Sequence, residues 1–485
     1  MDRTLLAVDI GSSALKAVVF DAGGRIAAAS TQPLSTAIGP DGSQEQDPAQ
    51  WWSALKSALA ALPARDSIAA LAFTGSMQNL VALDGNGQAI APAALYSDRR
   101  LDEEEVRALV SRLPDDYAQR TGNRLDPAHT ILKLMCRERF VPGAASRPDI
   151  HWTFGAKDAV TSRLTGRAAI DPTTASTTGL MNISSRIWDE ALTTASGVDP
   201  AALPEIMAAD AVVGSLLPAP ARELGLPAGI PVFNGAGDAA AATWGALADS
   251  PGAAYAYLGT TGWVAATLSM ADAAPPRDIY TLADPLRADR AIIISPFLTA
   301  GAALDWAAEL TGKPVAALLD AAAAEDEEPC GMLFLPYLCG ERAPFEDKQV
   351  RGAFLGLDRS HGPGAVARAV MEGIAFAVRH NLETAGLPSS PLTLIGGAAR
   401  HPAQQQILAD VLGREMRVAE ESREMTALGV LRMVAGKAGI RIEEGALAAA
   451  RTVMPRTRLA ERLEGRYRTY LAASHFAREH AKWLR

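Results

Sequence analysis

The sequence predicts an α/β protein built from two similar halves, and three observations carry that expectation. Apolar, β-rich runs alternate with helically spaced segments along the whole chain. At 485 residues the chain exceeds what one ordinary core accommodates. The segment Val8-Asp9-Ile10-Gly11-Ser12-Ser13 is answered by Tyr257-Leu258-Gly259-Thr260-Thr261, each reading as strand, glycine, two hydroxyl residues, strand. This faint internal repeat places a boundary near residue 247, with domains expected at 1–246 and 247–485.

The first half opens as a β-meander. Thr4–Ile10 and Leu15–Phe20 are apolar runs separated by the turn Gly11-Ser12-Ser13. Asp21-Ala22-Gly23-Gly24 then leads to a third strand over Arg25–Thr31. Asp47-Pro48 predicts a helix start, because Asp caps and Pro suits the first turn. Trp51, Trp52, Leu55 and Leu59 keep helical spacing behind it. Ala69–Phe73 reads as a strand ending at Thr74-Gly75, and Leu80–Leu83 as another before the turn Asp84–Gly87. The stretch Leu101–Leu164 looks mainly helical, Asp171–Gly179 a Thr- and Ser-rich loop, and Pro204–Pro231 a proline-punctuated connection. Ile230–Asn234 is then a strand, Gly235-Ala236-Gly237 a turn and Asp238–Ala246 a helix. In the second half, strands are expected at Ala253–Leu258, Trp263–Leu268 and Leu392–Ile395, the last running into Gly396-Gly397. Helices are expected at Thr299–Thr311, Gly364–Thr384 and Gln404–Leu412, with a charged surface helix from Arg458 to Arg485.

Composition narrows the functional classes. A formal net charge of −9 argues against a broad nucleic-acid surface. The cysteines Cys136, Cys330 and Cys339 are odd in number and form no CxxC pair, so neither a disulfide framework nor a zinc knuckle is indicated, and a reducing, cytoplasmic setting fits. The opening apolar run ends in Asp9, which reads as a strand rather than a signal peptide, and no membrane role is expected. There is no GxxxxGK[ST], HExxH or GxSxG, and the seven histidines form no metal-like cluster.

Four segments can carry chemistry. Gly11, Ser12 and Ser13 make a tight hairpin whose N–H and O–H donors suit a phosphate. Asp9 ends the preceding strand, where a carboxylate can hold Mg²⁺ through water. Lys16 either reaches the same phosphates or is an exposed strand lysine. Gly259-Thr260-Thr261-Gly262 repeats the hairpin without the carboxylate, so that one loop carries a metal and the other the phosphate tail. Asn234-Gly235-Ala236-Gly237-Asp238-Ala239 superficially matches the dinucleotide pattern GxGxxA. Asp238 would repel a pyrophosphate at that helix start, and no acidic residue stands about 20 positions on. The alternatives are that Asp238 accepts a proton from an attacking hydroxyl, or that it is a plain helix cap. Leu394-Ile395-Gly396-Gly397-Ala398 either lets backbone approach a flat ligand such as adenine or is a tight turn into the next helix.

Taken in order, these segments resemble the FGGY carbohydrate kinases of the actin-like ATPase superfamily, and the xylulokinase branch in particular. Ser43–Trp52 is similar to SEQDPxxWW, and Tyr96-Ser97-Asp98-Arg99-Arg100 to WxDxR. Leu335–Pro344 resembles LPYLSGERTP, while Gly352–Leu357 with Ala367–Gly373 resembles a second signature. The resemblance implies two ribonuclease-H-like domains with a cleft between them, sugar on the first and ATP mainly on the second. It implies Asp238 as catalytic base and Met77, Gln78, Asp98 and Asp238 on the sugar side. It further implies Asp9 as the Mg²⁺-associated carboxylate, Thr260 and Thr261 as the phosphate loop, and Gly397 with Ala398 near adenine. A homodimer is expected on the same ground.

Two positions depart from that pattern. Gln78 stands where the family has histidine, and Ala239 where asparagine is usual. Gln can still bind hydroxyls, whereas alanine removes a polar contact. The expected activity is therefore ATP-dependent phosphorylation of D-xylulose or a related ketopentose, with ribulose, ribitol or gluconate as alternative acceptors. Outside the class stand a non-catalytic nucleotide or sugar sensor, an actin-like ATPase acting on proteins, and an NAD-dependent oxidoreductase.

Overall fold

A computed structural model describes residues 4–63, 65–247, 249–273, 279–324, 331–388, 391–419, 424–443 and 450–483. Cys330 and the end of the predicted C-terminal helix lie outside the described residues. The chain forms two principal sheets. The first runs, in spatial order, Val212–Ser215, Pro231–Gly237, Ile68–Gly75, Thr4–Ile10, Ala14–Phe20 and Ile26–Pro33. Thr4–Ile10, Ile68–Gly75 and Pro231–Gly237 are parallel, while the meander that opens the chain is antiparallel.

The second sheet repeats this plan. Ala254–Leu258, Gly262–Ser269 and Arg290–Phe297 form its meander, and Leu392–Ile395 with Met416–Ala419 supply the parallel strands. Tyr280–Ala283 and Ala450–Val453 add antiparallel edges. Each sheet thus carries the ribonuclease-H-like order, and the short repeat at residues 8–13 and 257–261 occupies the first hairpin of each sheet.

The sequence reading needs correction in five places. Asp171–Gly179 is not a loop throughout: Pro172–Ser176 is a helix, because the Asp171 carboxylate accepts the Thr174 N–H at 3.0 Å and Pro172 occupies the first turn. Gly235-Ala236-Gly237 is not a turn. The strand runs on to Gly237, and Gly235, at φ +65°, sits in a register shift between Phe233 and Ala236. The connection Pro204–Pro231 contains the edge strand Val212–Ser215 and the helix Pro218–Leu224, whose proline sits in the first turn. The region Leu101–Leu164 breaks into short helices, with His151–Thr153 pairing as a strand to Val81–Leu83. The strands Tyr280–Ala283 and Arg290–Phe297 and the helix Met425–Ala438 were not anticipated.

That last helix organises the molecule. It comes from the second half of the chain but packs against Thr4–Ile10, Ile68–Gly75 and Pro231–Gly237 of the first sheet. Beside it lies the helix Asp238–Leu247. The two share one apolar core between the sheets, in which Phe20, Ala72, Phe233, Ala241 and Trp244 meet Val430, Val434, Tyr255 and Ile292. A second core fills the outer face of the first sheet under Pro48–Ala60 and Ala156–Thr165. A third lies under Gly301–Thr311, Pro363–Thr384 and Ala460–Glu479 on the second sheet.

The central helix pair crosses backbone to backbone. A Cβ on Gly429 would stand 1.8 Å from the Ala241 carbonyl oxygen, and one on Gly245 would stand 2.0 Å from the Met425 carbonyl oxygen. Backbone cannot yield as a side-chain tip can. Gly429→Val is therefore expected to destabilise the protein by about 1–3 kcal/mol or more, read as a lower thermal-unfolding midpoint. An unchanged midpoint would show that the crossing is looser than this geometry.

Candidate active site

The parallel strands of the first sheet bring their C-terminal ends together. Asp9 is in register with Thr74, and Thr74 with Ala236; one residue further, Gly75 faces Gly237. Asp238 follows directly and heads the helix Asp238–Leu247. Small residues are needed here. A Cβ on Gly237 would stand 2.1 Å from the Met77 sulfur and 2.8 Å from Thr174 Oγ1. Met77 is thereby seated against the residue preceding Asp238.

Charge is concentrated at this point. Asp238 is partly buried and accepts the Ala239 N–H at 2.8 Å. Burial, then the nearby Asp9 and Asp171 carboxylates, push its carboxyl up to about 7. Asp9 is also raised, chiefly by burial, with the hydrogen bond from Thr426 and the charge of Lys16 opposing. Thr426 Oγ1 donates to Asp9 Oδ2 at 2.7 Å, while Asp9 Oδ1 is buried without a hydrogen-bond partner among the described residues.

Behind Asp238 lies a buried ionic cluster that the sequence reading missed. Lys157 pairs with Asp158 at 2.5 Å and Asp171 at 3.1 Å, and all three are fully buried. Thr174 Oγ1 donates to Asp171 Oδ2 at 2.5 Å. Burial opposes the Lys157 charge, but the two carboxylates outweigh it and hold the ammonium charged. Burial raises Asp158 to about 6. An adjacent Lys-Asp pair in the helix Ala156–Thr165 was the available signal, since such groups are rarely buried unless paired.

On the proposed acceptor side, Gln78 takes a left-handed backbone at φ 60°, and its Nε2 lies 3.4 Å from the Thr177 carbonyl oxygen. Asp98 is heavily engaged. Arg100 binds both of its oxygens, with the closest contact at 2.6 Å, and the Gln44 N–H donates to Oδ2 at 2.9 Å. Arg100 also pairs with Glu45 at 2.5 Å. Asp98 thus sits where it braces the two motif segments against each other.

The two hairpins are anchored to the two crossing helices. In the first, the Gly11 N–H donates to the Ala14 carbonyl at 3.0 Å, Ser12 is partly buried and Ser13 exposed. Gln46 Nε2 donates to the Ser12 carbonyl at 2.6 Å, and Trp51 Nε1 holds Gln46 at 2.7 Å, which gives the SEQDPxxWW-like segment a physical task. Lys16 stands 3.8 Å from Glu424, just ahead of the helix Met425–Ala438. In the second hairpin, the Gly259 N–H donates to the Thr261 carbonyl at 2.9 Å, and both Thr260 and Thr261 are exposed. The start of the helix Gly301–Thr311 is tied to this turn, with the Gly301 N–H on the Gly259 carbonyl at 2.8 Å. Trp263 Nε1 bonds the Tyr255 hydroxyl at 2.9 Å; that hydroxyl is 3.1 Å from Thr243 Oγ1, which donates to the Ala239 carbonyl at 2.8 Å. The second hairpin is therefore linked to the residue after Asp238.

Gly396 brings the segment Leu394–Ala398 alongside the second hairpin. It takes φ +105°, and a Cβ there would stand 2.3 Å from the Leu258 carbonyl oxygen, so only glycine fits. Gly397 is exposed with open space where its Cβ would point, and Ala398 is partly buried beside Gly301. Two cavities lie apart from these residues. One, of about 790 Å³, is lined by Arg112, Arg120 and Trp188; the other, of about 400 Å³, is lined by Asp126, Tyr280 and Arg342. None of the candidate catalytic, sugar-side or phosphate-side residues lines either, although Arg342, Ala343 and Pro344 of the LPYLSGERTP-like segment border the second, so the strand-end charge cluster rather than a large cavity is the candidate site.

Residues 4–245 match the N-terminal domain of the FGGY family of carbohydrate kinases, and residues 254–438 match its C-terminal domain. The chain belongs to the FGGY family of carbohydrate kinases. This carbohydrate kinase is 33% identical over 435 residues to a xylulose kinase of Escherichia coli K12, an alignment covering 88% of this chain and 89% of that one. It is also 33% identical over 439 residues to a xylulose kinase of Klebsiella pneumoniae, covering 88% and 89%. A solved xylulose kinase from Rhodospirillum rubrum superposes with a TM-score of 0.87 at 26% identity, covering 99% of this chain and 100% of that one. The protein is thus a sugar kinase with ATP as its phosphoryl donor. Among the described residues, no helix is long and apolar enough to cross a membrane.

Proposed function

We propose that this carbohydrate kinase transfers the γ-phosphoryl group of ATP to a hydroxyl of D-xylulose or a related ketopentose. The observation that carries the reading is Asp238: a carboxyl at the head of a helix, raised to about 7 and directly following Gly237, against which Met77 packs. A base near neutrality is matched to taking a proton from an alcohol as phosphorus bonds to its oxygen. The acceptor oxygen bonds to the γ-phosphorus, the bond from that phosphorus to the β–γ bridging oxygen breaks, ADP leaves, and the alcohol proton passes to Asp238. Ser12, Ser13, Thr260 and Thr261 donate to phosphate oxygens, with Gly11 and Gly259 shaping the turns and Lys16 adding positive charge. Gly396, Gly397 and Ala398 line the base side.

The site suits Mg²⁺. Among the described residues Asp9 Oδ1 is a buried oxygen with no hydrogen-bond partner, and no group of three or more His, Cys, Asp or Glu forms a protein cage. This fits an ion held chiefly by nucleotide oxygens and water, with Asp9 contributing. Bound there, Mg²⁺ would offset charge on the phosphates. We assign residues 1–246 to the sugar side and 247–485 to the nucleotide side, with the helix Met425–Ala438 returning to the first sheet. Similarity to xylulose kinases supports the ketopentose, whereas Gln78 and Ala239 allow another polyol or a sugar acid. A panel of ketopentoses, pentitols and sugar acids, scored by ADP release, tests the reading; fastest turnover on a non-ketose would overturn it. A cytoplasmic location rests on the cysteine usage and a homodimer on the family resemblance, and light scattering tests the second.

A further inference from the structure

One buried cation has no carboxylate partner. Lys133, on the helix Thr130–Met135, is 1% exposed, and among the described residues it makes no ion pair. This contrasts with Lys157, which holds two carboxylates. Lys133 Nζ donates instead to two backbone carbonyls, Gln78 at 2.9 Å and Leu95 at 2.6 Å. Burial lowers its ammonium to about 7. The Asp98 and Asp126 charges act on it only at a distance; a buried amine without a direct ion pair is costly, and a methionine of similar size would fill the space without that cost.

What the amine gains is control of two segments. Among the described residues Gln78 is one of two non-glycine residues with a left-handed φ, and Leu95 leads into Tyr96–Arg100. The neighbouring residue is already held: the Asn79 N–H donates to the Phe154 carbonyl at 3.0 Å, and Asn79 Nδ2 to Ser76 Oγ at 2.9 Å. Among the described residues the Gln78 side chain makes only the long hydrogen bond to Thr177. The Gln78 carbonyl, whose direction sets the left-handed backbone, is held by Lys133.

We propose that Lys133 is a positioning residue for the acceptor site, whose single nitrogen ties the Gln78 and Leu95 carbonyls and so fixes the left-handed turn that aims the Gln78 side chain. This rests on the reading of Met77 and Gln78 as the acceptor side. The test is steady-state ADP release by Lys133→Met and Gln78→Ala, varying D-xylulose, or the panel sugar with highest turnover, and separately ATP. In Lys133→Met the acceptor KM is expected to rise about tenfold or more, the worth of one hydrogen bond to a charged group. The ATP KM should stay within about twofold of wild type. A normal acceptor KM in Lys133→Met beside a raised one in Gln78→Ala overturns the proposal and leaves the acceptor reading standing. Normal values in both overturn the two together. A fall in kcat with neither KM moved assigns Lys133 to general folding and overturns it too. Should the methionine variant not fold, Lys133→Gln, which keeps N–H donors on a shorter stem, gives the same readout, and failure of both to fold counts against the proposal.

Discussion

Asp238→Asn is expected to lose phosphoryl transfer, with kcat falling by about 10²–10⁴-fold, while nucleotide still binds. Asparagine keeps the size of the side chain and the acceptor for the Ala239 N–H, but it cannot take a proton from an alcohol. The loss is read by ADP release, and retained binding by displacement of a fluorescent nucleotide. The pH profile supplies a second check. Asp238 lies near 7, so kcat/KM of the wild type should rise through about pH 7 as the base ionises. Stability runs the other way. The folded-state value stands above the ordinary 3.8, so between those values the folded chain keeps a proton that the unfolded chain has lost. That favourable contribution is present at low pH and disappears as pH rises through about 7. At pH 8 the asparagine variant escapes the cost of an ionised buried carboxylate, and its thermal midpoint should equal or exceed that of the wild type. Inactivity with an undiminished midpoint separates a missing base from a damaged fold. Turnover near the wild-type rate would remove Asp238 from the mechanism.

The parts of this site legible in the sequence are those made by contiguous residues. A strand ending in Asp9 and running into Gly11-Ser12-Ser13 announces its own hairpin, and so does Gly259-Thr260-Thr261. Asp238 stood out because a carboxylate at a glycine-flanked helix start counts against the dinucleotide reading, while the residues alone left a plain helix cap open and the base role came from the family resemblance. What the sequence did not disclose depends on distant segments meeting. Thr426 reaches Asp9 across 417 positions, on a helix that no motif announced. The Lys157 cluster draws on two helices, one of which a Thr-rich composition disguised as loop. Here capping by Asp171 outweighed intrinsic propensity. Gly235 misled in the opposite direction, since a bulge and a turn both demand glycine, and only the pairing of Gly237 with Gly75 tells them apart.

Asp9→Asn is expected to act twice, and the two effects have different signatures. The Asp9 carboxylate is the buried acid that faces both Thr426 and the charge field of Asp238. Removing its charge takes away a ligand for the metal-bound nucleotide, so turnover should fall about a hundredfold and the Mg²⁺ concentration for half-maximal rate should rise. Asp9 is also the largest carboxylate influence holding Asp238 up, after burial itself. The residual activity should therefore show its acidic limb at lower pH than the wild type, since Asp238 ionises more readily beside a neutral neighbour. Asparagine can still accept the Thr426 hydroxyl, so the anchor to the second half of the chain persists. A residue that served only to brace the strand end would lower activity at every pH alike and leave the Mg²⁺ dependence untouched. A limb that stays in place or moves upward would break the electrostatic link between residues 9 and 238. An unchanged Mg²⁺ requirement would separate Asp9 from the metal while leaving the assignment of the base intact.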